Sequence, residues 1–142
     1  MRLPLLAMVM CMASSLAAQA TSDSTNDSAT TRQGVFTFQQ AKRGADVYAG
    51  NCRSCHTVDS HTGAAFNATW NHRPLAALFQ YMTDKMPKND PGSLDPQEYA
   101  DVLAYVLKMN GLPAGASELP ADSMKLKAIR IELPQPQTRA QP

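Results

Sequence analysis

Cysteine, histidine and tryptophan are all scarce in this chain: three, three and one in 142 residues. Charge of one sign is missing as well, because 13 Lys and Arg face 12 Asp and Glu. Affinity for a nucleic-acid backbone needs a basic excess, so that class is excluded. No apolar run is long enough to cross a bilayer; the longest, Leu3 to Ala13, is too short for a stable anchor. No segment carries a convincing sheet pattern, and no carboxylate pair, nucleophile–base set or phosphate loop is evident. Catalysis by this chain alone is therefore not expected.

The apolar run has a different reading. Arg2 gives a positive start, Leu3 to Ala13 the apolar stretch, and Ala18-Gln19-Ala20 a small-x-small cleavage site. Residues 1–20 thus read as a removable export signal, with the mature chain starting near Thr21. Cys11 follows the bulky Met10, which argues against a lipid anchor. Without Arg2 the side-chain charges balance. Export into the periplasm would place the remaining cysteines, Cys52 and Cys55, in an oxidising compartment.

Residues 21–34, TSDSTNDSATTRQG, are polar and read as a flexible leader. Residues 35–112 form the expected compact domain, and 113–142 a strap with a disordered or loosely extended end, LPQPQTRAQP. MKLKAIRI (124–131) is expected to cross the domain surface in extended form. A domain under 80 residues usually needs a disulfide, metal or cofactor to hold it.

Three helices are legible. Thr37 and Gln40 form a capping box for the first, with Phe36 and Ala41 as a hydrophobic staple. Ala41, Ala45, Tyr48 and Cys52 recur at helical spacing. Gly44 in the middle costs about 1 kcal/mol against Ala, which close approach of another helix would offset. A second helix spans Pro74 to Lys85, with Leu75, Leu78, Phe79 and Met82 on one face, and stops because Pro87 biases Met86 toward extended backbone. The last begins at Asp95, with Pro96 at its first position and Glu98 completing a box, and Leu94 and Tyr99 as staple. Val102, Leu103, Val106 and Leu107 form its apolar stripe, and Asn110-Gly111 ends it.

The scarce cysteines and a histidine are concentrated in NCRSCHT, residues 51–57. Two thiols at i and i+3 on a helical turn share one side, with His56 adjacent. That arrangement suits thioether bonds to the two vinyl groups of one haem, with the imidazole reaching its iron. Competing readings are weaker. A thioredoxin-like dithiol wants a strand before it. A zinc site wants about four ligands, and His61 and His72 are not at zinc-module spacing. A plain disulfide leaves His56 without a role.

The iron's second ligand is open among Met82, Met86, Met109, Met124, His61 and His72. Met82 belongs to a core stripe, Met109 to the last helix and Met124 to the strap. His61 would require the chain to double back sharply. Met86, in a loop beside Pro87, is the favoured ligand, and His72 is its bis-histidine rival.

FQQAKRGADVYAGNCRSCH and MPKNDPGSLDPQEYADVLAYVLKMNG together resemble the class I (monohaem) cytochromes c, and the extended form MP…PGSL…AYVL…NG…ELP resembles modules serving quinoprotein (PQQ) alcohol and sugar dehydrogenases. The resemblance covers about residues 38 to 131. It implies an all-α, cytochrome c-like fold, with three or more helices around one covalently bound haem c and an extended C-terminal strap. It also implies ligation by the methionine of the MP dipeptide, Met86, and a helix crossing at Gly44, Tyr48 and Tyr105. Trp70 is expected to bond a haem propionate, with Arg73 and Asn71 helping to neutralise it.

The expected role is single-electron relay between periplasmic partners: a dehydrogenase, a terminal oxidase or another cytochrome. A monomer or a subunit of a redox complex fits, and a ligand-sensing haem protein is the remaining alternative. Arg53, Arg73, Lys85 and Lys88 lie in segments expected to surround the haem edge, where they would form a basic rim.

Overall fold

The computed structural model describes residues 29–134. The expected export signal, most of the leader and the end of the tail lie outside the described residues. Among the described residues five helices follow in order: α1 (Phe38–Asn51), α2 (Gly63–Trp70), α3 (Leu75–Lys85), α4 (Pro96–Met109) and α5 (Ser123–Leu126). Short 3-10 turns cover Thr31–Gln33 and Val58–His61. Among the described residues, only isolated bridges, at Thr30, Pro74 and Arg130, stand in for a sheet.

The most extensive helix contact is between α1 and α4. Tyr48 and Tyr105 meet there with ring centroids 5.4 Å apart. Leu103 and Leu107 present the α4 stripe to the core and are fully buried, as is Leu75 of α3. Each such side chain contributes about 1.5–3 kcal/mol by leaving water. The α3 stripe is buried at the four expected positions, Leu75, Leu78, Phe79 and Met82. At the start of α4 both halves of the Asp95–Glu98 capping box form.

α1 begins as expected at Thr37, whose Oγ1 accepts from the Gln40 amide at 3.0 Å. The reciprocal half of the box does not form. Gln40 is instead fully buried, with its amide group bonded to the Leu119 backbone at 3.0 and 2.7 Å. A buried primary amide that meets the backbone N–H and C=O of one residue through its acceptor and its donor leaves none of those polar atoms unpaired.

α2 has no counterpart in the sequence pattern. Phe66 is its one buried residue, and the Thr62 side chain makes no capping bond. Gly63 enters the helix at φ +72°, where a residue with a Cβ would be strained.

The flexible-leader reading is corrected over residues 29–34. Thr31 is fully buried, and its Oγ1 donates to the Glu132 carbonyl and accepts from the Glu132 amide. The amides of Thr31 and Arg130 bond to the carbonyls of Arg130 and Ala29 respectively. These bonds cross from the leader to the strap, so local composition gave no sign of them. Beyond residue 112, Leu119, Leu126, Ile131 and Leu133 are all buried, and the core therefore draws on both flanks of 35–112.

The strap is not extended throughout either. Asp122 caps α5 by accepting from the Met124 amide. One turn of helix then places Leu126 inward while Met124 stays 75% exposed. Extended backbone follows, with Ile131 bonding through its amide to the Arg73 carbonyl and through its own carbonyl to the His72 amide. Leu133, at the head of the segment read as disordered, is packed and donates to Asn71 Oδ1.

Candidate haem-binding site

Cys52 caps the C-terminus of α1 and donates its amide to Tyr48 O at 2.9 Å. Its own carbonyl accepts from the amides of Cys55 (3.1 Å) and His56 (2.9 Å). One carbonyl therefore fixes the backbone of both, and a single turn carries the two thiols and the imidazole. Cys52 is half-buried, which pushes its thiol pKa up, and Cys55 is exposed. The two thiols are not joined to one another.

Both thiols open onto a cavity of about 520 Å³. Volumes of about 300–1,000 Å³ are usual for cofactor pockets. Every helix from α1 to α4 contributes to its wall. Phe66, Leu78, Val102 and Val106 make apolar surface, and Met82 and Met86 bring sulfur. Cys52, Cys55 and His56 line the same space. The residues fit a haem c: two free thiols at i and i+3, an imidazole and a thioether meet around one apolar hollow.

Met86 is half-buried directly after α3, and its amide bonds to Met82 O at 3.0 Å. Of the other ligand candidates, Met109 and Met124 do not line the cavity, while Met82 does so from its place on the core stripe. His72 does not line it either; it is exposed, at φ 66°, with its amide held by Ile131 O at 2.7 Å. That strap bond turns His72 away from the role of a bis-histidine ligand. Asn71 is also outside the lining; its Oδ1 accepts from the Leu133 amide and its Nδ2 lies 3.2 Å from His72 Nε2, so its expected help in neutralising a carboxylate gains no support.

Trp70 and Arg73 both line the cavity, with the Arg73 guanidinium 5.1 Å from the Trp70 ring centroid. Tyr81 stands 5.4 Å from Trp70 on the other contact. Of the four cations expected around the edge, Arg73 and Lys88 line the cavity; Arg53 and Lys85 are exposed elsewhere.

His61 is a lining residue that sequence reading sets aside. The sharp reversal it needs is made by the 3-10 turn at Val58–His61. Its ring lies 4.6 Å from that of His56 and 5.6 Å, edge-on, from Tyr48. Burial, and then the neighbouring His56, push its pKa down. Asn110 at the end of α4 holds the His61 carbonyl at 2.8 Å. No local signal near His61 announces that tie, because it spans 49 positions.

Residues 39–106 match the family described as cytochrome c oxidase, cbb3-type, subunit III. The fold is all-α and cytochrome c-like. The match supports a class I cytochrome c, and with it a c-type electron carrier. No curated protein and no solved structure matches the chain significantly. The cytochrome c match runs from α1 through most of α4, and so contains the Cys52-x-x-Cys55-His56 turn, Trp70, Arg73 and Met86. The match covers just under half of the chain, and it supports covalent haem c at that turn. The strap lies beyond the matched segment, although Leu119, Leu126 and Ile131 complete the core.

Proposed function

We propose that this chain is an exported monohaem c-type cytochrome that carries single electrons between periplasmic redox partners, from a quinoprotein dehydrogenase toward the respiratory chain. The observation that carries the reading is the one cavity shared by Cys52, Cys55, His56 and Met86. Cys52 and Cys55 would hold haem c through thioether bonds, with His56 and Met86 as the iron's two protein ligands. When bound, haem supplies an iron that gains or loses one electron.

The protein's part is to set how readily that happens. A neutral thioether from Met86 favours the reduced state over a second imidazole. Apolar walls at Phe66, Leu78, Val102 and Val106 act in the same direction, because low-dielectric surroundings disfavour added charge. Arg73, with its guanidinium 5.1 Å from the Trp70 ring centroid at the wall, would pair with a propionate, and the Trp70 indole N–H would donate to one. Arg73 and Lys88 also offer positive charge to a partner with an acidic docking face. Salt screens such attraction over about 10 Å at 0.1 M, so association should slow as ionic strength rises.

A second reading, a haem c subunit held within a redox complex, is favoured by the description of the matched family as an oxidase subunit. No helix among the described residues is long and apolar enough to cross a membrane. Expression in a host with intact cytochrome maturation tests the main reading. The mature chain should gain the mass of one haem, give a c-type pyridine haemochrome and, once reduced, resist carbon monoxide. A chain weighing no more than its amino acids would end the proposal. Copurification with a large quinoprotein or oxidase subunit would select the complex over the free carrier.

A further inference from the structure

Tyr99, in the second turn of α4, is only 3% exposed. Its hydroxyl donates to the Met86 carbonyl at 2.6 Å and accepts from the Gly92 amide at 3.1 Å. A phenol has one proton to give and lone pairs to receive, so both bonds hold at once. Met86 thereby has its amide fastened to α3 through Met82 and its carbonyl fastened to α4 through Tyr99. Apart from Tyr99, the Met86 carbonyl has a long 3.5 Å contact from the Gly92 amide. The segment closed by these bonds, Met86 to Gly92, includes Pro87, Lys88 and Asn89, all of which line the cavity. Gly92 takes φ +80°, which brings its amide round to the phenol.

A thioether is a weak, neutral ligand, and a loop that opens exposes the metal position to any small ligand in solution. How often the loop opens depends on what holds it closed. We propose that Tyr99 is a positioning residue: its hydroxyl latches the Met86 loop to α4 and so keeps the Met86 sulfur committed to the iron. The inference rests on the reading of Met86 as ligand.

Tyr99→Phe keeps the ring in the core and removes only the latch. In the holoprotein, covalent haem should be retained. Amides of residues 86–92 should exchange about tenfold faster, while those inside α1 and the second half of α4 keep their wild-type protection. Carbon monoxide should bind the reduced variant about tenfold faster. Tenfold is the factor that about 1.4 kcal/mol gives, within the range of one buried hydrogen bond. In a Met86→Ala background the same substitution should add nothing to carbon monoxide binding, because Tyr99 acts through Met86.

Unchanged exchange and gas binding in Tyr99→Phe would overturn the latch, as would a uniform loss of protection across all helices or an additive gain in the double variant. If Met86→Ala itself left the reduced protein closed to carbon monoxide, the ligand assignment would be what failed, and the latch would fall with it. If Met86→Ala opened the iron and Tyr99→Phe did nothing, the latch alone would be refuted.

Discussion

Gly44 lies so close to Asp101 that a Cβ at Gly44 would stand 1.8 Å from the Asp101 backbone oxygen. No real Cβ contact is that short, and the obstacle is main chain, which cannot swing aside. α1 and α4, the two longest helices among the described residues, touch backbone to backbone at this point. Their crossing therefore depends on the absence of one carbon atom.

Gly44→Ala sets two effects against each other. Helix propensity favours alanine by about 1 kcal/mol. The overlap forces the helices apart, and overpacking of a tight interface costs about 1–3 kcal/mol or more. The clash should win, with a lower denaturant midpoint for the holoprotein and a shift in the Tyr48–Tyr105 contact. A raised midpoint would show that the crossing is softer than the backbone contact indicates.

Met86→Ala should leave haem covalently attached through Cys52 and Cys55. It should abolish the long-wavelength methionine-to-iron band, lower the reduction potential and admit carbon monoxide to the reduced protein. Optical titration and redox potentiometry check all three. Survival of the band would move the ligand elsewhere, with Met82 the other methionine lining the cavity.

Gln40→Leu should loosen the strap. The variant leaves the Leu119 amide and carbonyl, both bonded to Gln40 in the wild type, without partners in a buried site. An unsatisfied buried polar group costs about 1–3 kcal/mol. Limited proteolysis should cut residues 113–134 at lower protease concentrations, before the helices are attacked. Equal resistance of variant and wild type would mean that the packing of Leu119, Leu126 and Ile131 suffices by itself.

The Arg43–Asp101 pair should make stability acid-sensitive. Burial raises the pKa of the Asp101 carboxyl, but hydrogen bonds from Arg43 and Gln97 outweigh it and hold the group below its ordinary value. A depressed folded pKa contributes stability above the unfolded value, about 3.9, and loses it as pH falls through the folded value. Arg43→Met should therefore move the acid-unfolding midpoint of the holoprotein upward. Because the Arg43 side chain is 46% exposed, solvent screening limits the size of the shift. A midpoint that does not move would assign the low pKa to Gln97.

Much of this protein was readable from residues a few positions apart. The Asp95-Pro96-Glu98 start, the Pro87 stop, the α3 stripe and the spacing of Cys52, Cys55 and His56 are all local signals. Each works through backbone hydrogen bonds or side chains within one or two turns, so the tertiary structure had only to keep them. The resemblance on either side of them carried Gly44 and Met86, and the structure places Gly44 at the helix crossing and Met86 at the cavity.

What local sequence could not determine was where long-range polar groups find partners. Gln40 has the right position for a capping box, yet the Leu119 backbone claims it from 79 residues away. Thr31 looks like part of a polar leader until Glu132 satisfies its hydroxyl. His72 is kept off the cavity by a strap bond, while His61 is brought onto it by a turn and by Asn110. Sequence alone determined α1, α3, α4 and the Cys52-x-x-Cys55-His56 turn, because their causes lie within a few residues. Only the tertiary structure decided which side chains face the cavity, because a buried donor or acceptor must be paired wherever in the chain its partner happens to lie.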